Sequence, residues 1–123
     1  MSSHPMKVMP GMELKLTDMP IPAEWILEGK PVPQAHVTLQ SADKRQSCGI
    51  WECPAGKFRF EFPWDEMSHI LEGEVTIEEE GGKTYTLRAG DFVHFPLGLK
   101  TRWHVPNRVR KVFFLVTPEP LNL

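Results

Sequence analysis

Hydrophobic and polar positions change their rhythm near residue 36. From Val37 to Val116, short runs of β-branched and aromatic residues alternate with Gly, Pro and small polar residues. The spacing is about 8 to 12 residues, which predicts a β-sandwich or barrel. Val37 to Leu39 and Gly49 to Cys53 flank a polar loop, Ser41 to Ser47. Phe58, Phe60 and Phe62 alternate with Arg59 and Glu61, the period that sends one residue class to each sheet face. Met67 to Leu71 and Glu74 to Glu79 surround Glu72 and Gly73, and Gly81 with Gly82 predict a hairpin into Thr84 to Leu87. Asp91 to Phe95, Lys100 to Val105 and Arg108 to Val116 complete the set.

Residues 1–35 lack this periodicity, apart from Trp25, Ile26 and Leu27, and are rich in Pro and Met. They read as an N-terminal arm with edge strands, followed by a barrel over 36–118 and a short tail over 119–123. There is no internal repeat, and Glu78 to Glu80 is a like-charge run that suits a solvated turn.

Composition narrows the picture. A chain of 123 residues suits one domain, which at this length buries roughly two thirds of its unfolded surface. Its 12 prolines argue against long helices, because each would break one. A net charge of −2 from interspersed signs offers no basic footprint for nucleic acid. Met1 to Leu16 contains neither the apolar core of a signal peptide nor a membrane span, so a cytoplasmic protein with no membrane partner is expected. Cys48 and Cys53 have neither zinc-finger spacing nor the numbers of a disulfide framework, and are expected to be reduced thiols.

Two stretches carry a more specific pattern. Glu66, six residues, then Gly73 stand in "EMSHILEGEV"; Gly90, five residues, Pro96, one residue, then Gly98 stand in "GDFVHFPLG". In that order and about 17 residues apart, they resemble the paired motifs of the cupin superfamily. The fuller text "GIWECPAGKF", "DEMSHILEGEV", "AGDFVHFPLGLKTRW" and "VRK" resembles small single-domain cupins related to ureidoglycine aminohydrolase and to the ethanolamine-utilisation cupin, over about Trp25 to Phe114. The resemblance implies an all-β double-stranded β-helix, a jelly-roll barrel, frequent homodimers and, for many members, no assigned activity.

It also implies a metal site of two histidines and a glutamate from the first motif and a histidine from the second, a donor set suited to a transition metal. Here only Glu66 remains of those four positions. The first-motif histidine positions fall on Phe60 and Phe62, on Arg59 and Glu61, or on Phe62 and Trp64, according to how the spacing is counted. The second-motif position falls on Thr101. No standard metal or other cofactor is therefore expected. With Glu66 pointing inward, strand alternation turns Ser68 and Ile70 inward and His69 outward, and turns Trp103 and Val105 inward and His104 outward. His94 lies just before Pro96, where a bulge would alter the parity, and stays a candidate ligand; His36 and His4 lie in the less regular N-terminal part.

The predicted pocket lining is Glu66, Ser68, Thr101 and Trp103, with Arg59, Phe60, Glu61 and Phe62 as the nearby members whose facing is open. That lining suits a small-molecule site. A carboxylate against aromatic rings pays a desolvation cost when charged, which makes Glu66 a candidate acid or base; the alternative is a glutamate hydrogen-bonded to Ser68, Thr101 or Arg59 for packing alone. Trp25, Trp51 and Trp64 read as structural, and Trp103 more as core than as ligand platform. Arg108, Arg110 and Lys111 read as a solvated edge face rather than an anion site. Met67, His69 and Leu71 point away from the pocket, and together with the resemblance they predict a homodimer.

Three functions follow. The first is a cupin that binds a small polar metabolite without a standard metal. The second is an enzyme of isomerase, lyase or aminohydrolase type using Glu66 as acid or base, or a non-standard metal completed by His94. The third is a structural or regulatory domain with a vestigial pocket.

Overall fold

Phe58, Phe60 and Phe62 do face one way, and the strand that carries the first two is much longer than this run. In a computed structural model that describes residues 5–10 and 14–122, pairs of predicted runs fuse into long strands. The elements are β1 (Thr17–Asp18), a single 3-10 turn (Ala23–Trp25), β2 (Ile26–Glu28), β3 (Gln34–Gln40), β4 (Gln46–Glu61), β5 (Asp65–Glu79), β6 (Thr84–Arg88), β7 (Phe92–Phe95) and β8 (Lys100–Val116). All pair antiparallel in the order β1-β3-β4-β8-β5-β6, with β2 on β4 and β7 on β5. Among the described residues no helix is long and apolar enough to cross a membrane. The all-β antiparallel arrangement agrees with the jelly-roll barrel expected from the sequence.

The long strands bend at irregularities, and two of these bends reverse side-chain parity. On β4 the buried positions run Ser47, Gly49 and Cys53 before the register shift at Pro54–Gly56, and Phe58 after it, a phase that buried Phe62 continues just past the strand end. On β5 they run Glu66, Ser68 and Ile70, then Val75 and Ile77, with register shifts between Ile70 and Thr76. An extra residue in a strand turns every later side chain to the other face, so these shifts let one strand serve both halves of the barrel. Gly73 sits in the second shift with φ 82°; a Cβ there would lie 1.9 Å from the Arg108 carbonyl oxygen.

Phe58, Ile70, Val75, Val105 and Val109 are almost wholly buried at the centre of the core. Each such side chain contributes about 1.5–3 kcal/mol of burial. The arm is seated on this barrel rather than merely attached to it. The Met19 N–H donates to the Pro33 carbonyl at 2.8 Å, and buried Pro31 packs where Gly56 has no side chain, since a Cβ on Gly56 would meet the ring at 2.7 Å. The C-terminal segment closes beside it, with the Leu121 N–H donating to the Lys44 carbonyl at 2.8 Å.

Candidate functional site

The inward faces of β3, β4, β5 and β8 enclose a cavity of about 270 Å³. Its rear wall is aromatic. Trp51, Phe58, Phe60, Phe62, Trp64 and Trp103 line it, with Phe113 and Leu115 from the end of β8. The rings lock one another: Phe58 stacks on Trp103 at 5.5 Å, Phe62 stacks on Phe95 at 4.4 Å, and Phe60 meets Phe62 edge-on at 4.7 Å. Such pairs add about 0.5–1.5 kcal/mol each beyond their buried area and hold the wall rigid. The front wall comes from the arm, through Met19, Pro20, Ile21, Pro22 and Pro33.

Among the described residues only two charged side chains reach the cavity, Glu66 and Lys111. Glu66 is not the lone acid that the sequence suggests. The Lys111 ammonium donates to its Oε2, the Ser68 hydroxyl donates to the same oxygen at 2.8 Å, and the Trp64 indole N–H donates to Oε1 at 3.1 Å. Lys111 pairs in register with Trp51 on β4 and Ile70 on β5, and its stem reaches along the barrel interior to the carboxylate. Its nitrogen lies 4.7 Å from the centre of the Trp51 ring, 5.2 Å from Trp103 and 5.4 Å from Phe95, distances at which ring quadrupoles attract a cation. The expected solvated basic edge is therefore corrected at Lys111. Arg108 and Arg110 do lie on the outside, where both donate to Glu52 and Arg108 also reaches Glu72. Burial works against the Glu52 charge, but the two guanidiniums outweigh it and hold its carboxyl below the usual range.

Other predicted lining residues divide. Trp103, Phe60 and Phe62 line the cavity with Glu66. Ser68 and Thr101 are buried but lie behind the wall: Ser68 supports Glu66, while the Thr101 hydroxyl donates to the Phe60 carbonyl and accepts from the Trp103 indole, both at 2.8 Å. Arg59 and Glu61 lie on the outer face, half exposed and 3.7 Å apart, with Arg59 over the Trp25 ring. Trp51 and Trp64, expected to be structural, are wall residues. The signal for Lys111 was available, because the odd parity of Thr101, Trp103 and Val105 continues through Val109, Lys111, Phe113 and Leu115.

Among the described residues no imidazole takes part. His94, the one candidate ligand that the sequence left open, is exposed on β7 with its Nε2 3.3 Å from Asp65. His69 and His104 are on the outer face as expected; His36 contacts Thr38 at 3.1 Å and does not line the cavity, and His4 lies outside the described residues. The described residues contain no cluster of three or more His, Cys, Asp or Glu able to hold a metal. A transition metal does not fit here: one carboxylate already takes three donors, and one of those donors is itself a cation.

Cys53 is wholly buried in the core, within reach of the Lys111 charge. Desolvation pushes its thiol up to about 12, with the nearby Lys111 charge pulling only partly the other way. A thiol held neutral in this way is inert. Cys48 is half-buried, and neither cysteine is in a disulfide.

Comparison with known proteins places this geometry in a family. The model of the EutQ-like cupin domain matches residues 40–113. The EutQ protein of Clostridium difficile is similar over 71% of this chain and 69% of its own, at 21% identity and a TM-score of 0.62. A DUF861-family protein of unknown function from Pseudomonas syringae pv. tomato str. DC3000 superposes with a TM-score of 0.76 at 20% identity, over 84% of this chain and 45% of its own, so the present chain spans less than half of that relative. A DUF861-family protein from Thermotoga maritima is 42% identical over 54% of this chain and 75% of its own, with a TM-score of 0.52. Among curated proteins none matches. The match of the family model covers more than half of the sequence, and the chain belongs to the EutQ-like cupin family.

Proposed function

We propose that the barrel is a metal-independent binding site for a small molecule with a mostly apolar body. One observation carries the reading: the cavity is walled almost entirely by rings, prolines and aliphatic side chains, and its two charged groups neutralise each other. From the sequence a small polar metabolite was expected; the lining favours an apolar body with a limited polar head instead. At about 270 Å³ the space lies at the small end of ligand pockets. Glu66 as free acid or base is the weaker reading, since its oxygens already take three protein donors.

The test is a thermal-shift screen of small aliphatic and aromatic compounds, because a ligand of the folded state raises its stability. Binders are expected to lose their effect in Phe60→Ala, which opens the wall without touching the ion pair. Hits that persist unchanged in that variant place binding elsewhere, and a library without hits favours a vestigial pocket.

A second copy of the chain is the partner we propose for the outer sheet face. Phe92 is 81% exposed, Phe114 56% and Met67 55%. Register places Phe114 beside Met67 and Val112 beside His69, which on its other side pairs with Phe92, across β8, β5 and β7. His94 sits beside Met67 and contacts Asp65, so the strip is mostly apolar with a paired acid and imidazole at one edge and no excess charge to select an oppositely charged partner, whereas two copies bring like to like in an isologous contact.

A further inference from the structure

We propose that the Lys111 ammonium stands in for a metal ion in this pocket and recognises a neutral ligand through an oxygen acceptor, such as a ketone, ester or amide carbonyl on an apolar body. The inference rests on the small-molecule reading above and adds the chemistry of the ligand's head group. An ammonium has three N–H donors and no acceptor. Among the described residues Lys111 has one hydrogen-bond acceptor, Glu66, and is otherwise flanked by the rings of Trp51, Trp103 and Phe95. Glu66 is in the opposite condition, with donors from Lys111, Ser68 and Trp64. The cavity therefore holds surplus donors at the nitrogen and few free lone pairs at the carboxylate.

Charge decides among ligand heads. Glu66 and Lys111 sum to zero, so an anion or a cation would leave a net charge inside an apolar enclosure, where an unpaired charge is costly. A cation would also have to displace Lys111 from its three rings. A neutral oxygen adds no net charge and satisfies a buried donor that otherwise lacks an acceptor. The same geometry explains why one motif carboxylate persists without imidazoles: its counter-charge is encoded in the chain.

Four probes with one skeleton and different heads test this: acetophenone, benzoate, benzylamine and toluene. Each is titrated into the full chain while the indole N–H resonances are followed by ¹H–¹⁵N NMR. Acetophenone is expected to bind at least about tenfold more tightly than benzoate, benzylamine or toluene, the scale of one hydrogen bond to a charged donor. That preference is expected to vanish in Lys111→Met and in the doubly neutral Glu66→Gln/Lys111→Met, the second of which keeps the test open should the single variant fail to fold. Benzoate or benzylamine as the tightest probe, or a carbonyl preference that survives the double variant, overturns the proposal. Equal binding of toluene and acetophenone overturns the head group and leaves the apolar site standing, while silence from all four sinks both. Added Mn²⁺ is expected to broaden no indole resonance selectively; selective broadening at Trp64 and Trp103 overturns the internal cation.

Discussion

Lys111 on β8 and Glu66 on β5 form an ion pair inside the barrel, each side chain only 6% exposed. Their attraction offsets the cost of taking two charges out of water, and that offset depends on both being present. Removing one partner leaves an isolated charge among rings. Lys111→Met is therefore expected to lower unfolding stability by about 3–5 kcal/mol, with Glu66→Gln/Lys111→Met recovering most of it. Urea denaturation of the wild type and these two variants measures this. A double variant as unstable as the single one would show that packing, not charge, is at stake.

Trp64 supplies the indole donor to Glu66 at 3.1 Å and also forms part of the wall. Trp64→Phe keeps most of the ring and deletes the donor, so a loss of about 1–3 kcal/mol is expected from denaturant titration. No loss would mean that the contact contributes nothing to the pair's geometry.

The Cys53 thiol gives a pH prediction. Its folded-state value is raised from 9.0 to about 12, so the folded protein keeps a proton that the unfolded chain releases in between. The contribution is full below pH 9 and is lost as pH rises toward 12. Comparing wild type with Cys53→Ala across that interval isolates it, with wild type expected to fall more steeply. At pH 8 a thiol reagent is expected to modify half-buried Cys48 and spare Cys53 until the protein is unfolded.

Gly73→Ala introduces a Cβ at 1.9 Å from the Arg108 carbonyl and demands φ 82° of a residue that avoids it. The strand must move, and a loss of at least about 1–3 kcal/mol in thermal or denaturant unfolding is expected. Gly81→Ala, whose added Cβ meets nothing within 4 Å at φ 68°, carries the backbone strain alone, and a smaller loss there than at Gly73 assigns the difference to steric contact.

Phe92→Glu and Phe114→Glu put charges on the outer strip and are expected to convert a dimer to a monomer in light scattering, with no change in barrel unfolding. A wild-type chain that is monomeric at high concentration removes the second copy as partner.

How much of this was legible in the sequence follows from where strict alternation holds. Inward Glu66, Ser68 and Ile70 and outward Met67, His69 and Leu71 were readable because a motif residue fixed the phase of a stretch that comes before the parity change in β5. Parity across β4 was not readable beyond Cys53, since the shift at Pro54–Gly56 resets it, and the separate runs gave no sign of fusing. Lys111 was hidden by its neighbours: with Arg108 and Arg110 it formed a basic cluster that looks solvated, although only the even-numbered two face out. The arm's share of the cavity had no signature, because prolines suppress the periodicity from which facing is inferred.

That share has an evolutionary consequence. The family match begins at residue 40, whereas Met19, Pro20, Ile21, Pro22 and Pro33 shape the mouth. Relatives that inherit the same aromatic interior but carry a different leading segment should accept differently shaped guests. Grafting that segment between such proteins is thus a route to exchanging their selectivity without disturbing the barrel beneath.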